Sequence, residues 1–278
     1  MADMGKTEVK SNDLVLSIVQ ETLREKTRLL PTVSQYEAPK GAQSVRVPRH
    51  DQFSAESKGE NSGLTSQALT YSFDEITLDK QRSILSRVED IASIQSSSDV
   101  NVEILKDMSG ELAKAVDAAI ISELKSASSS APDHLLNYAG GAGAANVAIA
   151  DIVNARKLLR EQFLPMNDGK LWMCISPEVE SNILKLSDFI DASKYGARNQ
   201  VAVDGYIGSV LGFNVIVNAN LSAADSLFYH SSAVGVAFSQ QPTFETARDL
   251  TNVATEYLCS LIFGAKVMNS GKMACHYS

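Results

Sequence analysis

The chain has few aromatic rings, prolines or cysteines for its length. Of 278 residues only 6% are aromatic, seven are proline, three are cysteine and one is tryptophan. The three cysteines, Cys174, Cys259 and Cys275, have no close pairing, which excludes a disulfide-stapled scaffold and fits a reducing compartment. No apolar run approaches the roughly 18 residues that a membrane span needs. The opening MADMGKTEVKSND is polar and mixed in charge, unlike a secretory leader. Positive charge is also in deficit: 25 Lys and Arg stand against 33 Asp and Glu, a formal net charge of −8. That balance argues against wrapping DNA or lying on an anionic membrane. What is present, 44% apolar and 21% charged residues, is the composition of a folded protein of one or two domains. The expectation is a soluble cytoplasmic protein.

From Asp13 the run DLVLSIVQETLREKTRLL has a helical rhythm through Leu14, Ile18, Val19 and Leu23. Asp13 suits the N-cap, and Pro31 should stop this amphipathic arm after Leu30. Residues 35–80 are poor in large aliphatics. SVRVPRH alternates, with Val45 and Val47 on one side and Arg46 on the other, and ALTYSF alternates through Leu69, Tyr71 and Phe73. A long two-stranded excursion follows, marginal alone in water and sensible when it lies on something else. The longest helical signal runs from an N-cap at Asp99 over Val100 to Lys125, with Val102, Leu105, Met108, Leu112, Val116, Ile120 and Leu124 on one face. Ala113, Ala115, Ala118 and Ala119 dilute that stripe and suggest close packing.

A glycine-rich boundary, ASSSAPDHLLNYAGGAGAAN, precedes an α/β unit. Within it NVAIADIVNARKLLREQFLP reads as a helix ended by Pro165, Asp168-Gly169 as a turn and LWMCIS as a buried strand. SPEVESNILKLSDFI reads as a helix capped by Ser176 with Pro177 at its first position. GYIGSVLGFNVIVNANL is a strand bent by glycines, and SLFYHSSAVGVAFSQ and EYLCSLIFGAKVMNSG add further strands.

Motifs for chemistry are weak. Gly140, Gly141 and Gly143 are followed by no Gly-Lys-Ser/Thr, and Asn146 stands where a dinucleotide fold has its third glycine, so a connector is expected. No Gly-x-Ser-x-Gly elbow exists, and Ser209 reads as part of a tight turn. Cys259, Cys275 and His276 lack a fourth ligand and a Cys-x-x-Cys, so neither metal nor cofactor is expected. Asp188 and Asp191 share a helical face, but Lys185 and Lys194 make it a charge-balanced solvated surface rather than a catalytic pair. Arg46, Arg49 and Lys58, interleaved with Glu37, Asp51, Glu56 and Glu60, are either a solvated strand face or charges that set register against a neighbouring subunit. No residue set asks to be an active site, and the chain is not expected to be an enzyme.

The order of parts, together with LWMCISPEVESNILKLSDFIDASKYG and the step Gly208, Leu211, Gly212, Phe213, Val215, resembles the tailed-bacteriophage major capsid proteins of the HK97-like fold. The ending EYLCSLIFGAKVMNSGKM is similar to the last strands of that family. The resemblance implies an α+β fold with an N-terminal arm over 1–34 and an extended loop over 35–80. It further implies a peripheral domain with a long spine helix over 81–135 and 243–278, and an axial domain over 136–242. It implies a homo-oligomer of hexamers and pentamers closing an icosahedral shell around packaged double-stranded DNA, without sequence-specific binding and without a membrane. A portal and a separate scaffolding protein are the implied partners, a decoration protein being left open, with assembly in the host bacterial cytoplasm. Leu14 and Ile18 on the arm and Arg46, Arg49 and Lys58 on the loop are the candidate subunit contacts. Alternatives are an encapsulin-type bacterial compartment, a cytosolic α/β enzyme with a dimerisation arm, and a tail or scaffold component. Reversing Arg46 and Arg49 to Glu is expected to impair assembly while leaving the monomer folded, read by electron microscopy of shells beside circular dichroism of the unassembled chain.

Overall fold

The computed structural model describes residues 27–39, 41–50, 53, 55–60, 63–69, 71–91, 100–130, 134–138, 147–165, 168–186, 208–269 and 272–277. Twelve strands and three α-helices lie among them. A four-stranded sheet has the order β1 (Ser34–Glu37), β10 (Val234–Asp249), β11 (Ala254–Val267), β4 (Lys80–Glu89). A six-stranded sheet has the order β5 (Leu135–Leu136), β12 (Ala274–Tyr277), β9 (Ser226–His230), β6 (Leu171–Ile175), β8 (Phe213–Val217), β7 (Ser209–Val210). The hairpin β2 (Ser44–His50) and β3 (Tyr71–Thr77) stands by itself as a third sheet. The helices are α1 (Val100–Ser130), α2 (Ile149–Glu161) and α3 (Pro177–Leu184).

The stripe of α1 is buried as its spacing requires. Leu105, Met108, Leu112, Val116, Ile120 and Leu124 are all buried, joined by Ala113, Ile121 and Ala127. This face packs on both sheets at once. Its cluster takes in Val234, Val236, Cys259, Leu261 and Phe263 of the four-stranded sheet and Cys174, Leu227, Tyr229 and Ala274 of the six-stranded one. The period-2 alternation of strands sends the neighbouring residues to the other face. There Leu171, Met173, Ile175, Phe228, Cys275 and Tyr277 pack under α2 and α3 through Ile152, Ala155, Leu159, Val179 and Ile183. The six-stranded sheet is therefore covered on both sides, which explains the near-continuous apolar run of LWMCI.

Several expectations need correction. Thr27–Leu29 are not helical and Pro31 lies inside a 3₁₀ turn, Leu30–Thr32, because the backbone N–H groups of Arg28 and Leu29 donate to Asp117 instead of continuing a helix. The arm helix proper, with Leu14 and Ile18, lies outside the described residues, as do Asp99, the Gly140–Gly143 loop, Asp188 and Asp191. Helix α1 runs to Ser130 rather than Lys125; Pro132 bars helix only from the residue before it, so the small polar tail extends the helix. Helix α2 stops at Glu161, short of Pro165, since Phe163 adopts a left-handed φ of 57° that turns Leu164 back onto the core. For a bulky side chain that conformation costs about 1 kcal/mol. Helix α3 keeps the expected start, Ser176 Oγ accepting from the Val179 N–H at 3.2 Å, but ends at Leu184. Ser209 opens strand β7, and the turn follows it at Leu211 and Gly212, both with positive φ, as a two-residue hairpin loop requires.

Strand β4 was absent from the sequence reading, although Ile84, Ser86 and Val88 alternate inward. The hairpin is present as expected, with Val45 opposite Ile76 and Arg46 opposite Glu75, but its second strand is YSFDEIT rather than ALTYSF. The division at 242/243 cuts through β10, and the closing strand β12 belongs to the six-stranded sheet with β5 and β9.

The hairpin is seated on two glycines. A Cβ on Gly264 would lie 2.1 Å from the Thr77 carbonyl oxygen, and one on Gly235 would lie 2.9 Å from Ile76 Cδ1 and from Tyr36 Cε2. Their absence lets Ile76 reach full burial beside Ala237 and Met268. Backbone cannot yield as a side-chain tip can, so Gly264→Ala should lower stability by about 2–3 kcal/mol. Chemical denaturation of the unassembled chain measures it, with Gly235→Ala expected to cost less because only side-chain ends stand in the way.

Candidate functional site

Two features of the surface and one of the interior carry the functional argument. The first is the hairpin excursion. Its inner side lays Val45 and Val47 against the body, while Arg46 and Pro48 point away. Opposite Pro48 stands Phe73, with Tyr71 two residues on, and both rings are 60% exposed. Phe53, Leu64 and Leu69 beyond the strands are 45–64% exposed as well. Five large apolar side chains thus face water on one projection, where isolated exposed apolars are the rule for a monomer surface.

The charged residues expected there are placed differently from one another. Arg46 lies on the outer face, its Nε 3.4 Å from Glu75 Oε1, and Ser44 Oγ donates to the same oxygen at 2.6 Å. The Ser44 hydroxyl first, and Arg46 second, hold the Glu75 carboxyl below its ordinary range. Arg49 faces the opposite way and donates from Nη1 to Asn269 Oδ1 at 2.7 Å, with Asp74 at 4.0 Å. The Asn269 N–H donates to Asp74 Oδ2 at 3.1 Å, so this group fastens the hairpin to the chain after β11. Lys58 is exposed in the loop between the strands. The structure does not bring the three cations together, and the monomer itself uses Arg46 and Arg49. Their joint reversal would therefore strain the hairpin's own contacts as well as any partner's.

The second feature is the far end of the four-stranded sheet. Leu85, Leu250 and Val253 are exposed there, and Arg248 forms a two-bond fork on Asp90 at 2.6 Å for each arm. That pairing, chiefly its hydrogen bonds, lowers the Asp90 carboxyl and raises the guanidinium.

The interior feature is Asp117, which the sequence reading missed. It sits on the buried face of α1 and accepts from the Arg28 N–H and the Leu29 N–H at 3.2 Å each and from Asn218 Nδ2 at 3.1 Å. Arg28 Nη1 donates to the Val217 carbonyl at 3.2 Å, and Asn220 Nδ2 to the Lys114 carbonyl at 3.2 Å. A cleft of about 510 Å³ opens beside this joint, lined by Arg28, Lys114, Asp117, Pro177, Asn218 and Asn220. Burial pushes the Asp117 carboxyl above its usual range against the pull of its three donors. The spacing Ala113, Asp117, Ile120, Leu124 was the available signal: a lone carboxylate on an apolar helical face must find donors.

Two further polar corners close the six-stranded sheet. His230 contacts Asp168 Oδ2 through Nε2 at 3.0 Å and Ser232 Oγ through Nδ1 at 2.6 Å. The Ser232 N–H donates to the same Nδ1 at 3.3 Å, so Nδ1 is the acceptor and Nε2 carries the proton. The order Asp–His–Ser is that of a hydrolase relay, but here the ring folds back on a residue two positions away and closes its own turn. His276 Nε2 lies 3.0 Å from Asp225 Oδ1, and Lys125 Nζ holds the other oxygen, joining α1 to β12. Cys275 shares the α2 side of the sheet while Cys259 lies in the α1 cluster, so these two thiols do not converge. All three thiols are buried, and desolvation pushes Cys174 and Cys275 up to about 12 and Cys259 to about 11. Among the described residues no helix is long and apolar enough to cross a membrane.

A long helix shared by two sheets, with a hairpin projecting from one of them, is the HK97-like capsid fold. A chain from Mycobacterium phage Che8 matches with a TM-score of 0.68 and 19% identity over 85% of each chain. The capsid structure of cyanophage P-SCSP1u gives a TM-score of 0.70 and 15% identity over 88% of this chain and 86% of that one. The virus-like particle from Pyrococcus furiosus gives 0.62 and 16% over 97% of this chain and 100% of that one. No curated protein matches the sequence. The model of the phage capsid protein family matches residues 85–275, and the chain belongs to that family. It is a capsid shell protein, a component of a virion.

Replacing Asp117 by Ala strands three donors, two of them buried, and should lower stability by about 2–3 kcal/mol. A carboxyl whose folded pKa is raised contributes most below its unfolded pKa and less as pH rises through the folded value. The deficit of Asp117→Ala is therefore expected to be larger at about pH 3.5 than at about pH 7, as denaturant titrations at the two values would read.

Proposed function

We propose that copies of this chain assemble as hexamers and pentamers into an icosahedral shell enclosing a double-stranded DNA phage genome, a structural and not an enzymatic role. The observation that carries the reading is the cluster of exposed apolar side chains on the hairpin, Phe53, Leu64, Leu69, Tyr71 and Phe73. Laid across an adjacent subunit, each would contribute about 1–2 kcal/mol on burial, which the monomer forgoes. In this reading the four-stranded sheet with α1 is the peripheral domain and the six-stranded sheet with α2 and α3 the axial domain. Residues 1–34 act as the arm, with Leu14 and Ile18 as contacts, and 35–80 as the extended loop, with Arg46 and Lys58 facing the partner and Arg49 tying the loop to its own body. A scaffolding protein, a portal and, in some shells, a decoration protein complete the assembly in the host cytoplasm. The net charge of −8 suits a shell that holds DNA loosely.

The encapsulin-type alternative is favoured by one observation, the likeness to the Pyrococcus furiosus virus-like particle over 97% of this chain. Negative-stain electron microscopy with sedimentation velocity on purified protein, alone and with its scaffolding partner, tests assembly. Closed shells or capsomer rings are expected, and a uniform dimer or tetramer in both samples would sink the proposal. DNA inside the shells supports the phage reading, and enzyme cargo the alternative.

A further inference from the structure

Phe163 is the most exposed large apolar side chain among the described residues, at 90%. It also occupies the position just past α2 where helices favour glycine, with φ at 57°. The left-handed turn has a local purpose: the Phe163 N–H donates to the Arg160 carbonyl at 3.0 Å, and Leu164 returns to the core. Glycine would serve that purpose without strain, and the ring packs on nothing at home. A phenylalanine here thus accepts both backbone strain and exposure.

Its surroundings point to what it meets. Val153, Arg156, Arg160 and Phe163 follow one another at three- and four-residue steps along the outer side of α2 and its end. Val153, Arg156, Lys157, Arg160 and Glu161 line a shallow depression of about 370 Å³. Leu211 is exposed beside it, its carbonyl accepting from Arg156 Nη1. Three cations stand there against one carboxylate, Glu161, which Lys157 already contacts at 3.7 Å. Apart from Arg156, Lys157, Arg160 and Glu161, which together carry +2, the chain has a formal charge of −10, opposite in sign to this ridge. A phosphate backbone would satisfy the cations, yet it offers no recess for a solvent-facing phenyl ring.

We propose that the Phe163 ridge of α2 is a heterologous contact that docks on an acidic, apolar-pocketed surface of a second copy of this chain. A rotationally repeated ring needs such a pair of unlike surfaces on each subunit. The inference rests on the shell reading and adds a contact on the six-stranded sheet's side of the molecule, remote in sequence from the hairpin. The aromatic ring is the anchor and the cations set orientation and encounter rate.

The test separates a structural role from an interface role by the sign of two effects. Phe163→Gly removes both strain and ring, and Phe163→Ala keeps the strain and removes the ring. The unassembled Gly variant should melt higher than wild type by about 2–4 °C, and the Ala variant close to wild type. Both should need at least about tenfold more protein to form capsomers or shells in sedimentation velocity, the loss expected of an aromatic anchor. Variants that assemble at the wild-type threshold overturn this contact while leaving the shell reading intact. A Gly variant that melts lower also overturns it, since the ring would then be packing at home. Normal assembly of both variants with loss of packaged DNA would assign the ridge to nucleic acid instead. A wild-type chain that forms no shell even with its scaffolding partner overturns the shell reading, and this contact with it.

Discussion

The apolar face of α1 serves two sheets with a single set of side chains. Leu112, Val116, Ile120 and Leu124 are at most 1% exposed because β10 and β11 close on them from one side and β9 and β12 from the other. At 31 residues the helix spans about 46 Å. Neither sheet can shift along it without opening voids against the other, and close-packed interiors resist that. Asp117 sharpens the same constraint. Its three donors come from the segment entering β1 and from the loop after β8, so one carboxylate indexes both sheets to a single turn of the helix.

The hairpin is built on the opposite plan. Among the described residues, Ile76, Ala237 and Met268 are the ones buried where it meets the body, and those of the hairpin beyond are exposed or half-exposed. A segment held at its root and bare along its length has low local stability and freedom to adapt, at modest entropic cost until something orders it. Rigid body and adaptable projection are what equivalent copies need when their environments are close to, but not quite, the same.

The long helix was legible because its apolar residues recur at three and four over about six turns, a pattern few alternatives share. Strand β6 and the Ser176–Pro177 cap of α3 were legible through local chemistry alone. Strand β4 was missed because its inward residues, Ile84, Ser86 and Val88, include a serine, and its outward Leu85 blurs the alternation. The end of α2 was misread because Pro165 was the visible stop, whereas the actual stop is a left-handed phenylalanine that no propensity favours. On the surface, Arg46 and Arg49 were recognisable as neighbours in sequence. That they face opposite ways follows from strand pleating, but that each has a partner within its own chain depends on tertiary placement of Glu75, Asp74 and Asn269. Asp117 could have been found from its helical neighbours, though not its donors, which lie about 90 and 100 residues away.

Strand β12 lies between β5 and β9, inside the six-stranded sheet, yet it is made of residues 274–277. A ribosome delivers the flanking strands well before it delivers the one that joins them. During that interval β9 presents a naked edge, and Tyr138 lacks the Tyr277 ring on which it stacks at 5.1 Å. Completion of the sheet is thus a clock set by translation: a nascent chain cannot offer a finished six-stranded face to its siblings until residue 277 has emerged. Chains cut short of residue 274 would keep the hairpin and the four-stranded sheet that seats it, yet their open β9 edge would send them toward quality control.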